Sequence, residues 1–156
     1  MVEDFVADNE LLYRCIFYRT TDGAKLYQIE DNKAVVSSQA FRDSSSAPSV
    51  DRALLCGHNP IHTQKNPEDG VVSLICQEVR LIDSVVQKSL KGKEEFTYKI
   101  DVLPRPLPDN YAHAQIEPTP TYQSKSVFRK LLERLAFLAN QRDWEILPWE
   151  VRQHKS

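Results

Sequence analysis

The clearest pattern in the chain is the helical spacing of apolar residues near its C-terminus. After Ser124, apolar side chains recur three and four residues apart, at Phe128, Leu131, Leu132, Leu135, Leu138 and Ala139. This spacing places them on one face of an α-helix, and such a face is normally buried. The sequence therefore predicts an amphipathic C-terminal helix over residues 124–142 that forms part of the core.

Shorter apolar runs upstream predict β-strands. Residues 11–18 are rich in aromatic and branched side chains and precede a Thr-Asp-Gly turn signal, so they are interpreted as a central strand. Residues 25–29 are interpreted as its hairpin partner, and residues 34–38 as another brief strand. Residues 71–76 have the composition of a buried strand, and residues 96–102 alternate apolar and polar positions as a half-buried strand does.

Capping and proline signals place a short helix and a loop between these strands. Ser49 as N-cap, Asp51 in the first turn and Gly57 as a stop predict one helix over residues 49–56. Five prolines between residues 103 and 120 predict an edge or a loop, with residues 112–116 as a short insert. The predicted fold is α+β, with a small mixed or antiparallel sheet, a short central helix and the C-terminal helix.

Length and composition are typical of one folded domain. The chain has 156 residues, of which 41% are hydrophobic and 27% charged, so residues 1–156 are expected to share one core. No run approaches the roughly 18 apolar residues that a membrane span needs, and no membrane partner is expected. Residues 1–10 are acidic, lack the features of a secretory signal and are expected to be flexible.

Cysteine usage indicates a reducing compartment. Cys15, Cys56 and Cys76 are an odd number of cysteines and form no Cys-x-x-Cys pair. A disulfide framework is therefore not expected, and reduced thiols are typical of a cytoplasmic protein.

The net charge of the whole chain is close to zero, but the charges are unevenly distributed along the sequence. The formal net charge of −2 argues against a polyelectrolyte partner that contacts the whole protein. The predicted C-terminal helix nevertheless carries one acidic residue, Glu133, against five basic ones, Lys125, Arg129, Lys130, Arg134 and Arg142. Such a face contacts phosphate or an acidic protein in some proteins, and in others it is simply solvated.

Common enzyme and metal motifs are absent from the sequence. There is no Gly-rich phosphate loop, no GxSxG elbow and no acidic pair of a metal nuclease, so no cofactor is predicted and an enzymatic role is left open. His58 and His62 have the spacing of zinc-binding histidines on a helix, with Cys56 and Cys76 nearby in sequence. Pro60 interrupts that helical geometry, so a polar loop is the favoured interpretation and no metal is assigned.

An arginine inside an apolar strand requires an explanation. Arg14 lies in the predicted strand 11–18, and a buried guanidinium without a partner is very unfavourable. Its partner is either a ligand phosphate or a carboxylate, for which Asp22, Asp51 and Glu78 are the candidates.

Polar residues beside apolar elements define a candidate pocket for an anionic ligand, such as a nucleotide or a nucleic-acid phosphate. The candidate ligand-binding residues are Arg14, Ser37, Ser38, Asp51 and Arg52. His113, which lies between prolines, is the candidate catalytic residue because histidine exchanges protons near neutral pH.

A non-catalytic adaptor is the alternative function. Trp144, Ile146, Leu147 and Trp149 form an apolar cluster in sequence after the predicted helix. Large exposed aromatic side chains often anchor protein interfaces, so this cluster and the helix would bind a protein partner. The same residues would instead fold back over the core in a protein with no such partner.

Four segments together resemble a group of small bacterial proteins of unassigned function. They are Leu12-Tyr-Arg-Cys-Ile16, Ser37-Ser-Gln-Ala-Phe41, Pro48-Ser-Val-Asp-Arg52 and His113-Ala-Gln-Ile116. The likeness spans roughly residues 11–116 and supplies no activity. It implies that the polar positions in these segments belong to one site.

The order of three polar residues is also similar to that in ADP-ribosyltransferases of the Arg-Ser-Glu type. In that family a strand Arg holds the dinucleotide phosphates, a Ser braces the site and a Glu orients the ribose; Arg14, Ser37 or Ser38, and Glu78 occur here in that order. The family's Ser-Thr-Ser is absent, and Cys76 stands where a second Glu or Gln is usual.

Overall fold

Strands and short helices alternate along the chain. The computed structural model describes residues 4–43, 47–88, 95–120 and 125–153. Its described strands are Leu11–Ile16 (β1), Tyr27–Glu30 (β2), Lys33–Val36 (β3), Ser49–Arg52 (β4), Gly70–Ile75 (β5), Val86–Gln87 (β6), Phe96–Thr97 (β7), Lys99–Pro104 (β8) and His113–Thr119 (β9). Its described α-helices are Cys76–Arg80 (α1), Lys125–Asn140 (α2) and Trp149–Gln153 (α3).

The main sheet has five antiparallel strands in the order β5-β1-β4-β9-β8. Strand β1 lies inside this sheet, as predicted, and the α+β class is confirmed. Strands β2 and β3 form a separate two-stranded sheet, and so do β6 and β7. The predicted partner strand over residues 25–29 is thus β2, Tyr27–Glu30, and it pairs with β3 and not with β1, because Asp31 and Asn32 both have positive φ and form the tight two-residue turn of a hairpin.

Helix α2 packs on one face of the main sheet and is part of the core, as predicted. Its buried side chains are Val127, Leu131, Leu132, Leu135, Ala136, Leu138 and Ala139. They join a cluster that includes Leu12 and Ile16 of β1. The first residue of the predicted range, Ser124, lies outside the described residues.

Two predictions about the middle of the chain are wrong. Residues 49–56 are not one helix: Ser49–Arg52 is strand β4 between β1 and β9, and only Ala53–Cys56 forms a 3₁₀ turn. Gly57 does end that turn, with φ of 65°. Residues 112–116 are mostly the start of strand β9 and not an insert between loops.

A proline inside strand β9 is accommodated by the ladder geometry. Pro118 pairs opposite Ile100 of β8. The N–H of Ile116 donates to Pro48 on the β4 side, so by the two-residue period of a strand the nitrogen of Pro118 also faces away from β8. The missing donor of Pro118 therefore removes no hydrogen bond from the β8–β9 ladder.

The end of the acidic N-terminal segment is packed against the domain. Val6 is fully buried in the core, and Glu10 is 5% exposed. Glu10 is held there by a buried ion pair with Arg52, and the flexibility expected of residues 1–10 stays a prediction.

Gly70, the first residue of β5, has no room for a side chain. A Cβ atom there would lie 2.5 Å from Cζ3 of Trp144 and 3.1 Å from the carbonyl oxygen of Ile146. We expect Gly70→Ala to lower the free energy of unfolding by about 1–3 kcal/mol through overpacking. Urea denaturation of Gly70→Ala in the wild-type and Trp144→Leu backgrounds tests this, since the smaller side chain should relieve most of the loss. An equal loss in both backgrounds would contradict the steric explanation.

No helix among the described residues is long and apolar enough to cross a membrane. The three cysteines are free thiols, two of them buried.

Candidate functional site

The candidate site is a cleft lined mainly by the sheet face opposite helix α2, together with Arg14, which by alternation belongs to the helix-facing side of β1. Leu12 and Ile16 of β1 face the helix, so Tyr13 and Cys15 face the other side by strand alternation. A cleft of about 160 Å³ lies there, which we call the central cleft. Its lining residues are Tyr13, Arg14, Cys15, Phe17, Asp43, Ser49, Val50, Asp51, Thr63, Lys65, Asn110 and His113.

Strand register brings three polar residues into one row across the cleft floor. Tyr13 of β1 is directly opposite Asp51 of β4, and Asp51 is directly opposite His113 of β9. Side chains that oppose each other in antiparallel strands lie on the same face with Cβ atoms about 4.5–5.5 Å apart. The row is thus a product of the sheet.

Asp51 is a buried carboxylate that is held by hydrogen bonds from two loops. Thr63 Oγ1 donates to its Oδ2 at 2.8 Å, and Asn110 Nδ2 donates to its Oδ1 at 2.7 Å. The Oδ1 atom of Asn110 lies 3.0 Å from Nε2 of His62, which is itself 3.9 Å from Asp51. Since Asn110 presents an acceptor, His62 carries its proton on Nε2.

The ring of His113 is oriented by the backbone carbonyl of Arg105, the residue that follows the neighbouring strand β8. Its Nδ1 lies 2.8 Å from the carbonyl oxygen of Arg105. A carbonyl only accepts, so Nδ1 bears the proton and Nε2 is the basic nitrogen of the neutral ring. No hydrogen-bond partner for this Nε2 occurs in the described parts of the chain. His113 therefore offers the cleft an atom that can take up or release a proton.

Arg14 is paired within the protein. Its guanidinium binds both carboxylate oxygens of Asp43, at 2.9 and 3.1 Å, and donates to the carbonyls of Ala40 and Ser49. None of the three candidate carboxylates proposed from the sequence is its partner. Asp43 was missed because it lies outside any described helix or strand, where no periodicity marks it.

Asp43 has a second set of partners in strand β4. The backbone N–H and the hydroxyl of Ser49 both donate to its Oδ2 at 2.7 Å. Burial raises the pKa of the Asp43 carboxyl, but the hydrogen bonds and charge of Arg14 and the donors of Ser49 outweigh burial and hold that pKa below its ordinary value. The Arg14–Asp43 pair is consequently a charged wall of the cleft and not a free binding group.

The environment of Cys15 disfavours its thiolate form, because the side chain is buried beside a carboxylate. Its Sγ lies 3.6 Å from Oδ2 of the buried Asp69. Burial, with a smaller contribution from Asp69, raises the pKa of the Cys15 thiol to about 12. Burial followed by the nearby Glu145 carboxylate also raises the pKa of Tyr13, so both groups stay protonated.

The structure brings together only some of the residues singled out in the sequence. Arg14, Asp51 and His113 line the central cleft, whereas Ser37, Ser38 and Arg52 do not. Arg52 is buried against Glu10, and Ser37 precedes the 3₁₀ turn Ser38–Phe41 with a hydroxyl that has no partner among the described residues.

The arrangement implied by the ADP-ribosyltransferase resemblance is not assembled in one place. Glu78 lies exposed on helix α1 and does not line the central cleft, and Arg14 is occupied by Asp43. Thr63, Lys65 and Asn110 were not predicted. Asn110 follows Pro108 and Asp109, which signal a turn, but nothing in the sequence connects that turn with Asp51.

The two histidines with zinc-like spacing do not share a metal site. His58 has a positive φ of 55°, outside a helix, and His62 is engaged with Asn110. Across residues 4–43, 47–88, 95–120 and 125–153, no group of three or more His, Cys, Asp or Glu side chains is placed to hold a metal ion.

Comparisons with protein-family models, with curated proteins and with solved structures find no match to this chain. Both resemblances noted in the sequence therefore stay predictions. The chemistry of the central cleft is the basis on which a function is proposed.

Proposed function

We propose that the central cleft binds a small phosphate-bearing ligand of the nucleotide class, and that Lys65 and His113 contact its anionic group. This proposal depends on one observation: most charged groups of the cleft already have ion-pair or hydrogen-bond partners within the protein. Arg14 and Asp43 neutralise each other, and the carboxylate of Asp51 is held by Thr63 and Asn110. Binding groups must therefore come from the remaining polar side chains.

Lys65 and His113 are the remaining groups that can bind an anion. Lys65 is exposed and forms no ion pair within the described ranges, and the Nε2 atom of His113 is open. The Lys65 ammonium donates charge-assisted hydrogen bonds to phosphate oxygens, and the Nε2 of His113, an acceptor in the neutral ring, becomes a second such donor when it takes up a proton. An anionic ligand matches this pair better than a cationic one.

An aromatic side chain at the same cleft favours a nucleotide over a bare phosphate. Phe17 lines the cleft and is 37% exposed. Every nucleobase has a flat face that stacks on such a ring, and stacking contributes about 1–3 kcal/mol per base in single-stranded complexes. Phe17 therefore provides a stacking surface for a nucleobase, whereas Lys65 and His113 would contact the phosphate.

Any reaction at this site would use His113 for proton transfer. The Arg105 carbonyl fixes the proton on Nδ1, so Nε2 is the atom that would accept a proton from a ligand hydroxyl or a water molecule. Cys15 and Tyr13 are poor alternatives because the pKa of each is raised.

An adaptor function is less well supported by the structure. The apolar face of α2 is used by the core, and Trp144 packs edge-on against Tyr27 while its Nε1 donates to the Ala34 carbonyl at 2.9 Å. Trp149 is 39% exposed and packs edge-on against Tyr18. The two tryptophans thus present less free apolar surface than their spacing suggested.

A thermal-shift titration with nucleoside mono- and diphosphates tests the proposal. A ligand at about a hundred times its dissociation constant should add roughly 2.7 kcal/mol to the free energy of unfolding. We expect Lys65→Gln and His113→Gln to weaken this stabilisation, and Lys99→Gln, which removes the same charge from β8, to leave it unchanged. The proposal is wrong if no nucleotide stabilises the protein, or if Lys99→Gln is as damaging as Lys65→Gln.

A further inference from the structure

A second cleft, of about 100 Å³, lies where the turn after β3 meets the beginning of helix α2. We call it the basic cleft; its lining residues are Gln39, Arg42, Lys125, Phe128, Arg129 and Leu132. Three of them are cationic and none is acidic. The central cleft, in contrast, contains equal numbers of formally positive and negative side chains apart from its histidine.

The other cations of the C-terminal region have structural partners. Lys130 donates to the carbonyl of Val86 at 2.9 Å, and the guanidinium of Arg134 lies 4.6 Å from the ring centre of Phe137. Arg142 donates to the hydroxyl of Ser73 at 2.9 Å. These three side chains are therefore engaged within the described fold.

Lys125 and Arg129 are left without an anionic partner in the part of the chain that the structure describes. Glu133 follows Arg129 by one helical turn, yet no ion pair joins them there. Lys125 stands at the beginning of α2, where the helix dipole is positive and acidic residues are the favourable choice. Both cations are therefore placed where folding alone gives them little stabilisation.

Arg42 brings the third positive charge from a different part of the chain. Its Nη1 lies 3.3 Å from Oε1 of Gln39, a neutral acceptor. The carboxylate next to it in sequence, Asp43, is committed to Arg14 and Ser49. Nothing among the described lining residues neutralises the three charges, whose mutual repulsion an anion would relieve.

We infer that the basic cleft is a phosphate-binding site, separate from the central cleft. Two guanidinium groups can each bind oxygens in a bidentate manner and an ammonium adds a compact charge, and a phosphate has more oxygens and more negative charge with which to satisfy three cations than a single carboxylate has. The phosphate can belong to a free phosphate compound or to the backbone of a single-stranded nucleic acid, since both present the same oxygens.

The test uses two probes, inorganic phosphate and a fluorescein-labelled single-stranded octanucleotide, with the full chain at 50 mM salt. We expect Lys125→Gln and Arg129→Gln each to weaken binding at least about fivefold, as the loss of a charge-assisted hydrogen bond does. Arg134→Gln removes the same charge from the same helix outside the cleft and should change affinity less than twofold. Far-ultraviolet circular dichroism confirms that each variant is folded.

The outcomes answer two questions: whether the basic cleft binds phosphate at all, and whether that phosphate belongs to a free compound or to a nucleic acid. Binding of inorganic phosphate as tight as that of the octanucleotide supports a free phosphate compound. Tighter octanucleotide binding supports a nucleic-acid backbone if the plot of log affinity against log salt also becomes shallower in each variant. The magnitude of its negative slope should decrease by about 0.7 for each lost cation. The inference is overturned if neither probe binds, or if Arg134→Gln weakens binding as much as Arg129→Gln. His113→Gln leaves this cleft intact, so the two sites fail independently.

Discussion

Glu10→Ala should lower the free energy of unfolding by about 3–5 kcal/mol, as the removal of one partner from a buried ion pair does. Arg52 is 1% exposed, and its Nε and Nη2 atoms each donate to a different oxygen of Glu10 at 2.8 Å. Without that carboxylate the buried guanidinium loses both hydrogen bonds to Glu10, while the one from Nη2 to the Phe5 carbonyl remains. Urea denaturation at neutral pH measures the change.

An exposed ion pair supplies the matched control for Glu10→Ala. Arg105 and Glu117 form a two-pronged pair at 2.8 and 3.0 Å, with 49% of the Arg105 side chain exposed. Glu117→Ala should lower the free energy of unfolding by less than about 1 kcal/mol. Replacing both buried partners, with Glu10→Leu and Arg52→Met together, should recover much of the loss. Equal effects of Glu10→Ala and Glu117→Ala would show that the buried pair does not stabilise the N-terminal segment.

Asp43→Asn should lower the free energy of unfolding by about 1.5–3 kcal/mol at neutral pH, the range for hydrogen bonds to a charged group. The amide keeps one acceptor oxygen but loses the charge that holds Arg14, and its nitrogen cannot accept the hydrogen bonds that Arg14 or Ser49 donates to the oxygen it replaces. Urea denaturation measures this loss, and far-ultraviolet circular dichroism checks that the variant keeps its fold.

The effect of Asp43→Asn should depend on pH in one direction. The pKa of Asp43 is lower in the folded protein than the roughly 3.9 of an unfolded aspartate. A lowered folded pKa means that the carboxylate stabilises the fold above the unfolded value, and that this contribution is lost as pH falls through the folded pKa. The difference between wild type and variant should be constant from pH 7 to 5 and shrink below about pH 4. A difference that persists undiminished at pH 3 would contradict this account.

Local signals predicted local structure and failed where partners are distant. The period of Leu131, Leu135 and Leu138 is a property of one segment, and α2 formed where it was expected. Residues 49–56 carry equally clear capping signals, yet the neighbouring strands β1 and β9 offer the Ser49–Arg52 backbone a ladder on both sides. The spacing of residues in the sequence does not show that β1 and β9 lie beside this segment. Pairing with those two strands therefore overrode its helical preference.

At the candidate site, the sequence indicates which side chain needs a partner, but only the fold shows which residue that partner is. Burial of Arg14 in an apolar strand correctly implied an anionic partner, but it did not reveal that the partner is Asp43. His113 and Asp51 are 62 positions apart in the chain, and only the β4–β9 register places them opposite each other. Residues on loops, such as Lys65, carry no periodic signal at all.

The tether on the His113 ring has an entropic consequence for ligand binding. Its Nδ1 is bound to the Arg105 carbonyl, and the N–H of Arg105 is bound in turn to the His113 carbonyl at 3.0 Å, so a hydrogen bond sets the orientation of the ring before any ligand arrives. The side chain of Lys65 is exposed, and immobilising such a side chain costs about 0.5–1.5 kcal/mol. A ligand that contacts both groups would therefore be oriented by the imidazole, while the ammonium chiefly accelerates its capture from solution.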